Sequence, residues 1–266
     1  MLIDSLCVCF VVCVHLSIAD RGVTGKMSQD SNFQQQLLDY AKRRKETLNS
    51  SSSFSSGSHS SVSLSVRPRS ISESIGLSSQ VSLLTDDFGV LLLQVELANC
   101  LRMLMPPLTR LCLNWRLCYS SERDGFSLRT MYSNCAKEGS VRSQYLLVIQ
   151  AEGQDHVFGA FLTTQPAPHW HHYGSGEVFL WKQSKPEASK DSVLGPFFAT
   201  GKNEYWMMSE PEFFAVGCSD GAFALWLDES MRKGNSKSVA TFDNEPLVGV
   251  EGDFVCKAIE LWIIDH

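Results

Sequence analysis

Residues 213–264 constrain the fold most. Their core reads Phe214-Ala-Val-Gly-Cys-Ser-Asp-Gly-Ala-Phe-Ala-Leu-Trp-Leu-Asp228. Phe223, Leu225 and Leu227 alternate with Ala224, Trp226 and Asp228, the period of a β-strand. The turn before this strand holds Gly217, Cys218, Ser219, Asp220 and Gly221, residues that tolerate positive φ or bond their own backbone. A second turn is expected over Lys233-Gly234-Asn235-Ser236. A short strand ending in a turn is expected over 238–247, which includes Thr241 and Asn244. Residues 253–265 near-alternate again and are rich in β-formers. The segment reads as antiparallel strands joined by short loops.

Upstream, Thr85-Asp86-Asp87 has the form of a helix start. Phe88, Leu91, Leu92 and Val95 follow at helical spacing, and Pro106-Pro107 stops the run. Gln94, Glu96, Asn99 and Arg102 argue against a membrane span there. Residues 115–121 predict the first strand, followed by a turn at Asp124-Gly125. Ser127 is the expected N-cap of a helix whose buried face is Leu128, Met131 and Tyr132. Residues 145–150 and 157–163 predict a hairpin, and Gly159 inside it implies a close approach by backbone or aromatic ring. Residues 184–195 read as a polar loop. Strands over 197–200 and 205–209 would flank a turn at 201–204.

The stretch His169-Trp-His-His-Tyr-Gly-Ser-Gly-Glu177 admits three readings. The histidines and Glu177 could ligate a metal, but adjacent His171 and His172 would point to opposite faces of a strand. Gly174-Ser175-Gly176 could cradle a phosphate, but no lysine follows and no strand–turn–helix context surrounds it. The favoured reading is structural: a tight turn in which Glu177 satisfies backbone N–H groups or pairs with an arginine.

The N-terminal third differs in character. Residues 1–26 carry an apolar run over 6–14 of signal-peptide length, but no positive charge precedes it and Asp4 does. A gene-model extension ending before Met27 is the other reading. Residues 27–48 predict a short helix ending in Lys42, Arg43, Arg44 and Lys45. That basic cluster suits contact with an acidic membrane surface, or simply a solvated helix end. Residues 49–82 are about half serine and too poor in large apolar groups to offset the entropy of ordering, so a disordered linker is expected. Ser70 and Ser72 follow basic residues and are candidate phosphosites.

The formal net charge of −6 does not suggest a nucleic-acid binder. Nine cysteines show no zinc-type spacing. The Gly-x-Ser-x-Gly letters at 217–221 lead into an alternating strand and not into a helix, so they make no nucleophile elbow, and no His-Glu-x-x-His motif is present. Cys218 is the best candidate for a reactive thiol, but no cation is evidently placed to lower its pKa.

The order of these segments resembles the TLDc domain of the oxidation-resistance proteins. The matching residues are Tyr173-Gly174-Ser175-Gly176-Glu177, Gly217 and Gly221, Leu225 to Asp228, Gly234 and Ser236, Thr241-Phe242, Asn244, Leu247, Asp253-Phe254, and Glu260 with Trp262. Two departures stand out: Cys218, Ser219 and Asp220 interrupt the family's glycine run, and Val239-Ala240 replace its common cysteine before Thr-Phe. The resemblance implies an α+β, mainly β fold over residues 83–266, a sandwich of two antiparallel sheets with a few flanking helices. Leu147, Ile149, Phe179, Phe223, Leu225, Leu227 and Trp262 would face inward. It also implies a non-enzymatic interaction module without cofactor or metal. That module would protect against oxidative stress and bind the V1 part of the vacuolar proton-pumping ATPase, modulating its assembly. The expected place is the cytoplasm, with association at endolysosomal membranes, nucleus or mitochondria. Two alternatives are a thiol-dependent antioxidant enzyme using Cys218 and a secreted lectin-like sandwich.

Overall fold

Two sheets share one long strand. The computed structural model describes residues 80–86, 89–140, 142–184, 193–249 and 252–265. The chain runs β1 (Ser82–Leu84), α1 (Val95–Leu104), a single 3-10 turn at Thr109–Leu111, and β2 (Asn114–Ser120). Helices α2 (Ser121–Asp124) and α3 (Leu128–Glu138) precede the strands β3 (Gln144–Ala151), β4 (Val157–Leu162), β5 (Phe179–Ser184) and β6 (Val193–Phe198). Then come β7 (Met207–Ser209), β8 (Phe213–Ser219), β9 (Ala222–Asp228), β10 (Lys233–Ser236) and β11 (Gly252–Ile264).

The spatial order is β6-β5-β4-β3-β11-β10-β9-β8-β7, with β2 on β11 and β1 parallel on β2. Every other pairing is antiparallel. The start of β11, 252–255, pairs with β10. From Cys256 onward it pairs with β3, and from Glu260 with β2 as well. Just inside the β3-paired stretch Lys257 is an extra residue, because Cys256 faces Ala151 while Ala258 already faces Gln150. Such a bulge bends a strand and shifts which side chains face inward. Phe254 and Cys256 point into the inter-sheet core before it, Ile259, Leu261 and Ile263 after it.

The inter-sheet core gathers Leu147, Ile149, Phe158, Ala160, Leu162 and Leu180 from one sheet and Phe214, Val216, Leu225 and Leu227 from the other. Helix α3 adds Leu128, Met131 and Tyr132, the face its spacing predicts, and Ser127 Oγ accepts from Thr130 N at 3.2 Å as its N-cap. The opposite face of the β2–β11–β3–β4–β5 sheet is buried too, through Trp115, Trp262, Leu146, Val148, Phe161, Phe179 and Trp181. Helix α1 buries Leu97, Ala98, Leu101 and Leu104. Each large apolar side chain so removed from water contributes about 2 kcal/mol.

Five expectations need correcting. Phe179 and Trp262 are buried, but outside the inter-sheet cluster, and Phe223 is only half-buried beside Phe213. Helix α1 begins at Val95, behind Gln94, and not at Thr85. The amides of Leu92 and Leu93 instead donate to Glu260 of β11, at 2.6 and 3.1 Å. The expected turn at 233–236 is strand β10, and the expected strand after it is an irregular loop, 237–249. Residues 193–195, read as loop, open β6.

Val81 is already buried and Ser82 pairs with Asn114, so sheet pairing begins within the serine-rich composition. The leader, the basic helix with Lys42, Arg43, Arg44 and Lys45, and the candidate phosphosites Ser70 and Ser72 lie outside the described residues. No helix among the described residues is long and apolar enough to cross a membrane.

Candidate functional site

Most of the sequence-selected residues lie on the β7–β10 sheet and the loops against it. Asp220 and Gly221, at φ 52° and 74°, make the two-residue turn between β8 and β9, the conformation such hairpins favour. Gly217 sits at φ 71°, and a Cβ there would lie 2.6 Å from the Phe242 ring. Only glycine lets that ring settle on the strand. Gly234 serves likewise, since a Cβ would lie 2.2 Å from the Phe254 ring.

Three buried polar side chains stitch the 237–249 loop over this surface. Thr241 Oγ1 accepts from Cys218 N at 3.1 Å and donates to Cys218 O at 2.8 Å. Ser236 Oγ donates to Ala224 O at 2.6 Å and accepts from Leu247 N at 2.8 Å. Asn244 Nδ2 donates to Lys237 O at 2.8 Å, and its Oδ1 accepts from Val239 N at 3.3 Å. These groups meet backbone demands that a loop leaves open when it is buried without a ladder partner. Asp228 works at the other end of β9, where its carboxylate accepts from Ser230 Oγ at 2.7 Å and Lys233 N at 3.1 Å, holding the turn into β10.

The 169–178 segment docks alongside. His169 N donates to Ser209 O at 2.8 Å, and Tyr173 exchanges backbone bonds with Met207 at 3.0 and 3.1 Å. Gly174, at φ 95°, lies against the Met207 side chain. Ser175 N donates to Thr163 Oγ1 at 3.0 Å, and Ser175 Oγ accepts from Glu177 N at 3.4 Å. Glu177 is half-buried. The histidines diverge: His169 stacks on Tyr173, His172 on Tyr205, and His171 is exposed. Between them Trp170 projects 97% exposed.

Trp206 joins the two stretches. Its carbonyl accepts from Gly217 N at 2.9 Å, and its ring is the nearest neighbour to Gly176. Sequence reasoning saw an aromatic strand here but missed this bridging role. It also missed Glu260, whose carboxylate accepts two backbone amides and the Trp262 indole N–H at 2.9 Å. Only its pairing with Trp262 in the motif pointed to it.

The thiol of Cys218 is half-buried, and burial and Asp220 both push its pKa up. A nucleophilic cysteine needs the opposite shift. A cleft beside the 3-10 turn, lined by Leu108, Leu111, Cys112, Arg142 and Asp265, holds another such thiol: burial and Asp265 push Cys112 up as well. The selected residues therefore build and brace a surface, with the aromatic and polar loops around Trp170, Tyr205 and Asp220 displayed on it.

Comparison with known proteins gives this surface its relatives. Oxidation resistance protein 1 of Podospora anserina is 30% identical over 207 residues, covering 65% of this chain and 60% of that protein. Oxidation resistance protein 1 of Yarrowia lipolytica is 36% identical over 179 residues, covering 64% and 72%. Human nuclear receptor coactivator 7 is 35% identical over 155 residues, covering 57% of this chain and 15% of its own. The chain thus spans about three fifths of the Podospora relative's length. The model of the TLDc domain matches residues 89–265, from the approach to α1 to the end of β11, and the chain belongs to the TLDc domain family.

Proposed function

We propose that this chain is a non-enzymatic interaction module that protects against oxidative stress. Its partner is the V1 part of the vacuolar proton-pumping ATPase, whose assembly it modulates, and it works in the cytoplasm and at endolysosomal membranes. One observation carries the non-catalytic reading. Gly217, Gly234, Ser236, Thr241 and Asn244 are spent on bracing β8–β10 and the 237–249 loop. Relatives named for oxidation resistance support the stress role. Trp170 supports a contact role: it is fully displayed on a segment whose backbone is anchored to β7 on both sides. A rigidly presented aromatic offers large contact area at little entropic cost.

The test is recovery of V1 subunits from cytosolic lysate on the immobilised full chain, read by mass spectrometry. Several V1 subunits are expected with the wild type and at least tenfold fewer with Trp170→Ala, whose circular dichroism should be unchanged. The same proteins are assayed for peroxide consumption with a thiol reductant. Turnover that disappears in Cys218→Ser, without V1 recovery, would replace this reading with the thiol enzyme.

A further inference from the structure

We propose that Cys118 and Cys135 form a dithiol that hydroperoxide oxidants convert into an intramolecular disulfide, tying β2 to α3. Both thiols are free and wholly buried, and their Sγ atoms are 3.9 Å apart. A disulfide requires about 2.05 Å, so roughly 2 Å of approach, shared between two side chains and one helix, completes the bond.

The pair is placed by a break in the ladder. On β11, Leu261 faces Tyr119 and Trp262 faces Leu117, which leaves Cys118 as an extra, unpaired residue of β2. A bulge re-aims its side chain; here Cys118 and Tyr119, neighbours in sequence, both enter the inter-sheet core. The Cys118 carbonyl, freed from the ladder, accepts from Asn134 Nδ2 of α3 at 3.1 Å and from Arg123 Nη2 of α2 at 2.9 Å. Asn134 directly precedes Cys135, so the same contact that seats α3 on the bulge sets the two thiols face to face. One turn on, at the C-terminal end of the helix, Arg116 of β2 bonds the Glu138 carboxylate at 3.0 Å and its carbonyl at 3.1 Å.

The chemistry balances with one hydroperoxide. A thiolate attacks the outer oxygen, an S–O bond forms, the O–O bond breaks, and the leaving alkoxide or hydroxide takes the thiol proton. The second sulfur then attacks the sulfenic sulfur, the S–S bond forms, and water leaves. Two thiols are oxidised by two electrons and one peroxide is reduced. The contact with the Cys118 thiol and burial hold the Cys135 thiol protonated, so reaction awaits transient opening of α3. Oxidation is therefore slow and records sustained oxidant exposure. It does not depend on the partner named above.

The full chain is treated natively with a short pulse of N-ethylmaleimide to block accessible thiols, cleared of reagent, exposed to hydrogen peroxide for a much longer time, and digested with trypsin without reduction. Cleavage after Arg116, Arg123, Arg129 and Lys137 puts each thiol in its own peptide, 117–123 and 130–137. The expected product is these two peptides joined, lighter by two hydrogens than their sum and separated by reductant. The oxidised protein should also melt roughly 5 °C higher, because a closed loop restricts the unfolded chain. Complete alkylation of both thiols within a maleimide pulse far shorter than the oxidation overturns the proposal, because a pair open to reagent does not wait on the helix. So does peroxide treatment that leaves both free or drives both to sulfonic acid. Cys135→Ala should abolish both the linked species and the melting shift; if that variant does not fold, the wild-type peptide map decides alone.

Discussion

Glu260 lies 4% exposed in the last strand, yet it fixes a segment 168 residues away in sequence. Its carboxylate accepts from Leu92 N at 2.6 Å, Leu93 N at 3.1 Å and Trp262 Nε1 at 2.9 Å. In Glu260→Ala these three donors lose their acceptor. Two of them belong to fully buried residues, and orphaning each costs about 1–3 kcal/mol. The half-buried Leu92 amide recovers part of its loss by reaching water. The expected destabilisation is about 4 kcal/mol, which for a domain of this size lowers the melting temperature by roughly 10 °C. Glu260→Gln keeps one acceptor oxygen but turns an amide N–H₂ toward N–H groups, so it should fall about midway. Calorimetry supplies the magnitude. Amide hydrogen exchange supplies the location, since protection of Leu92 and Leu93 should fall well before that of β3. A drop below about 2 °C for Glu260→Ala, or protection at 92–93 unchanged, would refute the view that this carboxylate holds the entry segment.

Gly217→Ala combines positive φ with a 2.6 Å approach to Phe242 and should cost about 3 kcal/mol in urea melts. Gly153→Ala, at φ 73° with nothing within 4 Å, should cost only about 1 kcal/mol. Burial pushes the Tyr119 phenol up to about 12, against 10 for an exposed tyrosine. Its hydroxyl donates to Gly125 O and accepts from Ser127 N at 3.2 Å. The unfolded chain ionises first, so this stabilisation is complete below pH 10 and is lost as pH rises from about 10 to 12. Tyr173, likewise raised to about 12 by burial, acts in the same window. Urea midpoints should fall steeply there and more gently in Tyr119→Phe.

What was legible in the sequence was what local chemistry decides. Ser127 with Leu128, Met131 and Tyr132 spelled out a capped helix, and α3 has that cap and that face. Gly159 signalled a close approach, and a Cβ there would lie 1.9 Å from Leu147 O and 3.2 Å from the Trp181 ring. The errors arose where distant partners outvote local preference. Lys233-Gly-Asn-Ser236 has turn composition, yet it pairs with β9 and β11 because Phe254 needs a residue without a side chain beneath its ring. Residues 238–247 read as a short strand ending in a turn, but Thr241 and Asn244 satisfy the backbone in place of a ladder. The false helix start at Thr85 has the same origin, since the acceptor that keeps Leu92 and Leu93 out of a helix sits on β11. The candidate site was legible as a set of positions. Its bracing role was not, because the bonds of Thr241 and Ser236 cross 23 and 12 residues.

Strand β11 also governs how the molecule is made. It is synthesised after every strand it joins, and until it arrives β2, β3 and β10 each present an unpaired edge. Such edges template association with other chains. A nascent or clipped polypeptide ending before Gly252 would hold two half-built sheets with no strand joining them. Its hazard is aggregation, beyond mere loss of stability, and its dependence on chaperones should end abruptly once the final strand can zip both sheets together.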